Sequence, residues 1–163
     1  MTNWTYGDLF SAVAATVPDR PCQIHGERTI RWGEFERRTN ALGNDLIAAG
    51  LGRQAKVAAY LYNGPEYMET YIAAFKAGMA PVNTNYRYGP DEIVYLFDNA
   101  DAEAVVFHAA FTDLIEGVRD RLPKVARWYV VGDETGPGPS WAVPYDSVVE
   151  GGDPSAVAPP WGR

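Results

Sequence analysis

The stretch from Tyr71 to Tyr88, YIAAFKAGMAPVNTNYRY, constrains the fold more than any other part of the chain. Ile72 and Phe75 lie three apart, as on one face of an α-helix. Ala77-Gly78 ends that helix, and Ala80-Pro81-Val82 starts an apolar strand that runs into the polar cluster Asn83-Thr84-Asn85. The expectation is a helix turning directly into a buried strand. Gly78 suits the junction because, without a Cβ, it can adopt the left-handed conformation that satisfies the last helical carbonyls. So tight a helix-to-strand junction is typical of an α/β unit.

The same grammar recurs along the chain. Leu9, Phe10, Val13, Ala14 and Val17 repeat with helical spacing, and Pro18 closes that helix. Pro21 to Ile24 and Arg28 to Trp32 read as two short strands, with Gly26 supplying the reversal between them. The next helix carries Phe35, Leu42, Leu46 and Ala49 on its inner side and Glu36, Arg37 and Asp45 away from it. Gly50-Leu51-Gly52 follows a helix and opens none, so it is a helix end and not a dinucleotide-binding turn. Lys56 to Tyr62 is nearly continuous apolar sequence, as expected of a parallel strand covered on both faces.

Asn63 or Gly64 then caps a helix, with Pro65 at its first position and Glu66 in its first turn. Met68, Tyr71, Ile72 and Phe75 form its core stripe. Gly89-Pro90-Asp91-Glu92 repeats the start signal ahead of Ile93, Leu96 and Phe97. Ala104 to Phe107 is the next strand; Phe111, Leu114, Ile115, Val118 and Leu122 stripe the next helix, and Arg127 to Val131 ends the series. The fold class is therefore α/β, a mainly parallel sheet with helices on both faces joined by right-handed crossovers. Residues 1–132 make up this unit. Residues 133–163 read as a loop and linker region, with a flexible excursion at Gly136-Pro137-Gly138-Pro139 and one short helix from Tyr145 to Glu150.

Charge and chemistry exclude several function classes. A net charge of -7 argues against a nucleic-acid module, whose affinity comes from clustered Lys and Arg neutralising phosphates. Arg37-Arg38 is only a pair, read as part of a solvated helix face. No apolar run reaches membrane-span length, and Met1 to Thr5 lacks the basic and apolar regions of a secretory signal, so a cytoplasmic location is expected. Cys22 is the single cysteine and reads as a small core residue beside a strand, so no disulfide or cysteine metal cluster arises.

Ligands of open parallel sheets collect beyond the carboxyl ends of the strands. That rule points to Asn63, Asn83 to Arg87, His108 and Gly132-Asp133. His108 has no Ser, Cys or acidic partner placed by sequence and reads as structural; His25 reads as a surface turn residue. Gly132 to Ser140 is glycine-rich but unsuited to phosphate, because Pro137 and Pro139 lack N–H donors and Asp133 and Glu134 repel an anion. Asn83, Asn85, Tyr86, Arg87 and Tyr88 are candidates for a pocket lining or a subunit interface. The residues alone define no complete catalytic set.

Three runs nonetheless occur in a recognisable order: RTIRWGEF at 28–35, LYNGPEY at 61–67 and AAFKAGMAPVNTNYRY at 73–88, continued by YLFDNAD at 95–101. From about Trp4 to Val131 the chain resembles the amino-terminal part of AMP-forming acyl-CoA synthetases, the adenylate-forming superfamily. The VNTNYRY and FDN segments are similar to a branch that handles fatty acids or steroid side-chain acids. The resemblance implies a complete enzyme that uses ATP, Mg2+ and coenzyme A to activate a carboxylic acid and transfer its acyl group to CoA. The family's phosphate-binding segment, roughly T-G-G-T-T-G-x-P-K-G, its adenine and ribose contacts and its catalytic lysine have no counterpart here. Hence no catalytic, cofactor-binding or metal residue is assigned, and the chain is expected to be an inactive fragment that binds none of these cofactors by itself. The alternative is a stand-alone binding or oligomerisation module, such as a homodimer, with the same fold. An unrelated nucleotide-binding protein would need a glycine-rich turn after a strand that suits phosphate, which the sequence lacks.

Overall fold

The computed structural model of the chain describes residues 4–132 and 138–162. It begins with α1 (Tyr6–Thr16), whose N-cap Thr5 and Asp8 form a reciprocal capping box. An antiparallel hairpin follows, β1 (Pro21–His25) and β2 (Arg28–Arg31), turning at Gly26 with φ +58°. Next come α2 (Trp32–Ala48), β3 (Lys56–Tyr60), α3 (Pro65–Lys76), β4 (Ala80–Asn83), α4 (Pro90–Asn99) and β5 (Ala102–His108). α5 (Thr112–Val118) lies between two 3-10 turns, Ala109–Phe111 and Arg119–Arg121, so the stripe from Phe111 to Leu122 is three short pieces where one helix is predicted. β6 (Arg127–Val131), β7 (Val143–Pro144) and α6 (Tyr145–Gly151) complete the described chain.

β3 to β7 form one parallel sheet in the order β4-β3-β5-β6-β7. Successive side chains alternate between its faces. Val57, Ala59, Leu61, Ala104, Val106, Tyr129 and Val131 join a core cluster that includes residues of α2, α3 and α6. Ala58, Tyr60, Val105, Phe107 and Val130 face the other way, onto Ile93 and Phe97 of α4 and Ile115 and Val118 of α5. Both faces are covered, which explains the unbroken apolar runs of β3 and β5. The crossover through α3 carries the chain outward from β3 to β4, whereas the one through α4 returns it past β3 to β5. Strand order therefore reverses between β3 and β5.

The helix starts follow their signals. Gly64 and Gly89 are N-caps with Pro65 and Pro90 at the first helical positions, and the Glu92 carboxylate accepts the Gly89 N–H at 2.8 Å. Gly78 has φ +69° at the α3–β4 junction.

Several expectations are corrected. β4 is an edge strand, half-buried and not buried, because β3 pairs with it on one side only. Ala80 donates to Ala55 O, so the nitrogen of the next residue, Pro81, points away from the sheet; a residue without an N–H there removes an outward donor from the open edge. Leu9 and Met68, expected in the core, are exposed. The buried side of α3 is instead Glu69, Thr70, Ile72, Ala73, Ala74 and Lys76.

The largest correction concerns α2: Arg37 is exposed as expected, but Arg38 is buried and Glu36 and Asp45 are drawn into pairs with neighbouring elements. Arg38 is 3% exposed and forms a two-pronged ion pair with Glu69 of α3, at 2.7 and 3.1 Å, and the Tyr145 hydroxyl donates to the same carboxylate at 2.8 Å. Lys76 Nζ reaches Glu36 at 2.6 Å, Thr39 at 2.9 Å and Asn40 at 2.8 Å. Asp45 accepts from Arg127 at 3.1 Å and from the Tyr129 hydroxyl at 2.6 Å. α2 packs against α1, α3 and α6, so more of its circumference is covered than one apolar stripe can line. Its inward polar groups are therefore paired.

Candidate functional site

The reversal of strand order between β3 and β5 opens a crevice at their carboxyl ends, the place where side chains from two loops can converge. A cleft of about 190 Å³ lies there, lined by His25, Leu61, Tyr62, Asn63, Gly64, Glu66, His108, Val131 and Gly132. The fold thus unites three residues that the strand-end rule selects, Asn63, His108 and Gly132, with His25 from the hairpin turn. Glu66, in the first turn of α3, is held by Arg28 of β2 at 2.8 Å, which ties the hairpin to the cleft.

An aromatic cluster floors this region. Tyr60 stacks on Phe111 with centroids 4.2 Å apart, and the Tyr62 ring lies 4.9 Å from Phe111, 5.0 Å from His108 and 5.3 Å from Tyr86. His108 Nδ1 accepts the Ala110 N–H at 3.2 Å, which orients its ring against Tyr62. Burial pushes the Tyr60 phenol above its ordinary pKa, so it remains a donor, and it reaches Tyr88 O at 2.8 Å. Tyr71 is likewise pushed up by burial and by its hydrogen bond with Tyr67.

The side chains from Asn83 to Tyr88 do not all line the same pocket. Asn83 Oδ1 accepts from the Tyr67 hydroxyl, and Asn85 Oδ1 accepts the Arg87 N–H at 3.0 Å, closing a local turn. The Arg87 guanidinium lies over the Tyr86 ring at 4.6 Å. Tyr86 leans toward the cleft through Tyr62, while Tyr88 lines a separate groove of about 390 Å³ with Asp91, Glu92, Tyr95 and Leu96. Sequence reasoning missed Tyr62 because it extends the strand to that residue; β3 ends at Tyr60, so Tyr62 belongs to the strand-end set.

Among the described residues, the cleft lining has no Ser, Cys or Lys that could serve as a nucleophile, and no group of His, Cys, Asp or Glu could hold a metal ion. No described helix is long and apolar enough to cross a membrane. Residues 133–137, which hold most of the glycine-rich stretch judged unsuited to phosphate, lie outside the described residues.

Cys22 sits half-buried in β1, packed with Ile30, Phe35 and Ile72. Burial first and the Glu69 carboxylate second push its thiol up to about 11. Thiolate is therefore scarce at neutral pH, in keeping with a packing role. Iodoacetamide at pH 8 is expected to modify Cys22 at least about 10-fold more slowly than free glutathione, as followed by mass spectrometry. Equal rates would contradict this environment.

Residues 10–160 match the AMP-binding enzyme family. The medium-chain acyl-CoA ligase Mig of Mycobacterium avium is 33% identical over 148 residues, covering 83% of this chain and 27% of Mig. A medium/long-chain-fatty-acid and 3-oxocholest-4-en-26-oate CoA ligase of Mycobacterium marinum is 34% identical over 126 residues, covering 77% and 23% of the two chains. The acetoacetyl-CoA synthetase structure from Streptomyces lividans superposes with a TM-score of 0.86 at 18% identity, over 94% of this chain and 26% of that one. The chain thus spans about a quarter of the length of these curated ligases. On the match over residues 10–160, and with acyl-CoA ligases as its relatives, the chain belongs to the AMP-binding enzyme family.

Proposed function

We propose that this chain is the amino-terminal portion of an AMP-forming acyl-CoA ligase acting in the cytoplasm. The observation that carries the reading is the identity of 33–34% with CoA ligases of which it spans only 23–27%. In this reading residues 1–132 are the body of an α/β subdomain, to which β7 and α6 add, and residues 133–163 lead toward a phosphate-binding segment farther along. The whole enzyme takes a medium- to long-chain or steroid side-chain carboxylic acid, ATP, Mg2+ and CoA. A carboxylate oxygen attacks the α-phosphorus of ATP and pyrophosphate leaves with the electrons of the broken P–O bond. The CoA sulfur then attacks the acyl carbon and AMP departs.

This chain contributes scaffold and pocket wall, since the described residues contain no phosphate-binding segment. The isolated chain, mixed with ATP, Mg2+, dodecanoate and CoA, is expected to release pyrophosphate no faster than a protein-free control. Release above that control overturns the assignment of chemistry to segments outside it.

Asn83, Asn85, Tyr86, Arg87 and Tyr88 border the acyl or subunit surface in this reading. The support is their position at and beyond the carboxyl end of β4 and the link from Tyr86 to the cleft through Tyr62. Arg87→Ala in the complete enzyme is expected to shift either chain-length preference or oligomeric state, read by kcat/KM across fatty acids and by light scattering. If neither moves, the segment is scaffold alone.

A further inference from the structure

We propose that Trp161 is a releasable latch at the end of a strap, residues 153–161, which holds the α3–β4 junction. This inference stands independently of the reading as a ligase. The composition of the segment is that of a linker, yet it is gripped along its length. Asn40 and Asn44, one turn apart on α2, donate side-chain amides to Pro154 O at 3.1 Å, Asp153 O at 3.1 Å and Ser155 O at 3.0 Å. Asn40 turns its Oδ1 to Lys76, so the same side chain joins strap, α2 and α3.

Two glycines form notches beneath the strap. A Cβ at Gly43 would stand 3.0 Å from Val157 Cγ2 and 3.3 Å from Ala73 O, and Val157 is buried in the core. A Cβ at Gly78 would stand 2.8 Å from Trp161 Nε1, so the indole lies directly on the backbone where α3 becomes β4. The two grips differ in kind. The strap from Asp153 to Val157 has hydrogen bonds and a buried side chain, whereas the Trp161 indole N–H is buried without an acceptor among the described residues. A buried donor left unpaired regains water on leaving, so the Trp161 end releases first.

Release has a consequence at a distance. α3 is a single helix with Gly64 and Glu66 in the cleft at its start and Lys76 next to the Gly78 junction at its end. Lifting Trp161 therefore uncovers the backbone at Gly78, just past the end of the helix that positions one wall of the cleft, while Lys76 keeps its contacts to Glu36, Thr39 and Asn40 and β5 and β6 keep their neighbours on both sides.

Amide hydrogen exchange on the full chain, compared among the wild type, Trp161→Ala and Trp161→Phe, tests the latch. Trp161→Ala is expected to speed exchange at Gly78, Met79 and Ala80 by about 10-fold or more and to leave Val105, Val106, Tyr129 and Val130 unchanged. Trp161→Phe, which keeps the apolar cover and removes the buried unpaired donor, is expected to exchange no faster than the wild type. Unchanged exchange at Gly78 to Ala80 in Trp161→Ala overturns the proposal, as does an equal rise across β5 and β6. Exchange in Trp161→Phe as fast as in Trp161→Ala also overturns it.

Discussion

Arg38→Ala is expected to destabilise the chain by about 3–5 kcal/mol, because it strands the Glu69 carboxylate, 0% exposed, with the Tyr145 hydroxyl as its remaining hydrogen-bond donor. In urea that is a fall of about 1–5 M in the unfolding midpoint, given a slope near 1–3 kcal/mol per molar. Burial alone would lower the Arg38 pKa, but the hydrogen bonds and charge of Glu69 outweigh it, so the guanidinium stays ionised. The pair is costly to break and need not be stabilising in itself, since both ions have given up water. The triple variant Arg38→Met, Glu69→Leu and Tyr145→Phe removes the charges and the partner hydroxyl together. It is expected to unfold within about 1.5 kcal/mol of the wild type. Equal loss in the single and triple variants would mean that packing around α2, and not the stranded charge, carries the effect.

Phe107→Ala is expected to cost about 3–5 kcal/mol, in the range of large-to-small changes in a closed core. Phe107 is 0% exposed on β5, between β3 and β6, and packs on Trp141 at 5.5 Å and Trp128 at 6.3 Å. The strand cannot shift to fill the space, because its backbone is paired on both sides, so most of the cavity remains. Denaturant unfolding measures the loss, and a change below about 1 kcal/mol would show that the Trp128 and Trp141 rings collapse into the site.

These two sites differ in how visible they are in the sequence. Phe107 sits in an unbroken apolar run, and the starts of α3 and α4 and the α3–β4 turn carry local signals: Gly64-Pro65, Gly89-Pro90 and the left-handed Gly78. Arg38 and Glu69 are 31 residues apart, and charged residues on amphipathic helices face water by default. Only the stacking of α1, α3 and α6 on α2 turns them inward, and that is a tertiary fact. The cleft was half legible. The strand-end rule selects Asn63, His108 and Gly132, whereas His25 and Glu66 arrive through the hairpin and its Arg28 contact, which leave no mark on local periodicity. Likewise, the grip of Asn40 and Asn44 on residues 153–155 spans more than 100 positions, beyond any composition-based reading of a linker.

In the function proposed above, this fold serves as part of a carboxylate-activating enzyme. The most direct measurement is expression of the uninterrupted reading frame from Met1, followed by an assay with dodecanoate, ATP, Mg2+ and CoA. The account predicts a frame that continues into a phosphate-binding segment and a product that forms acyl-CoA with one AMP and one pyrophosphate per turnover. A frame that closes at Arg163, or a longer product that forms no acyl-adenylate from any fatty or steroid acid, would contradict it.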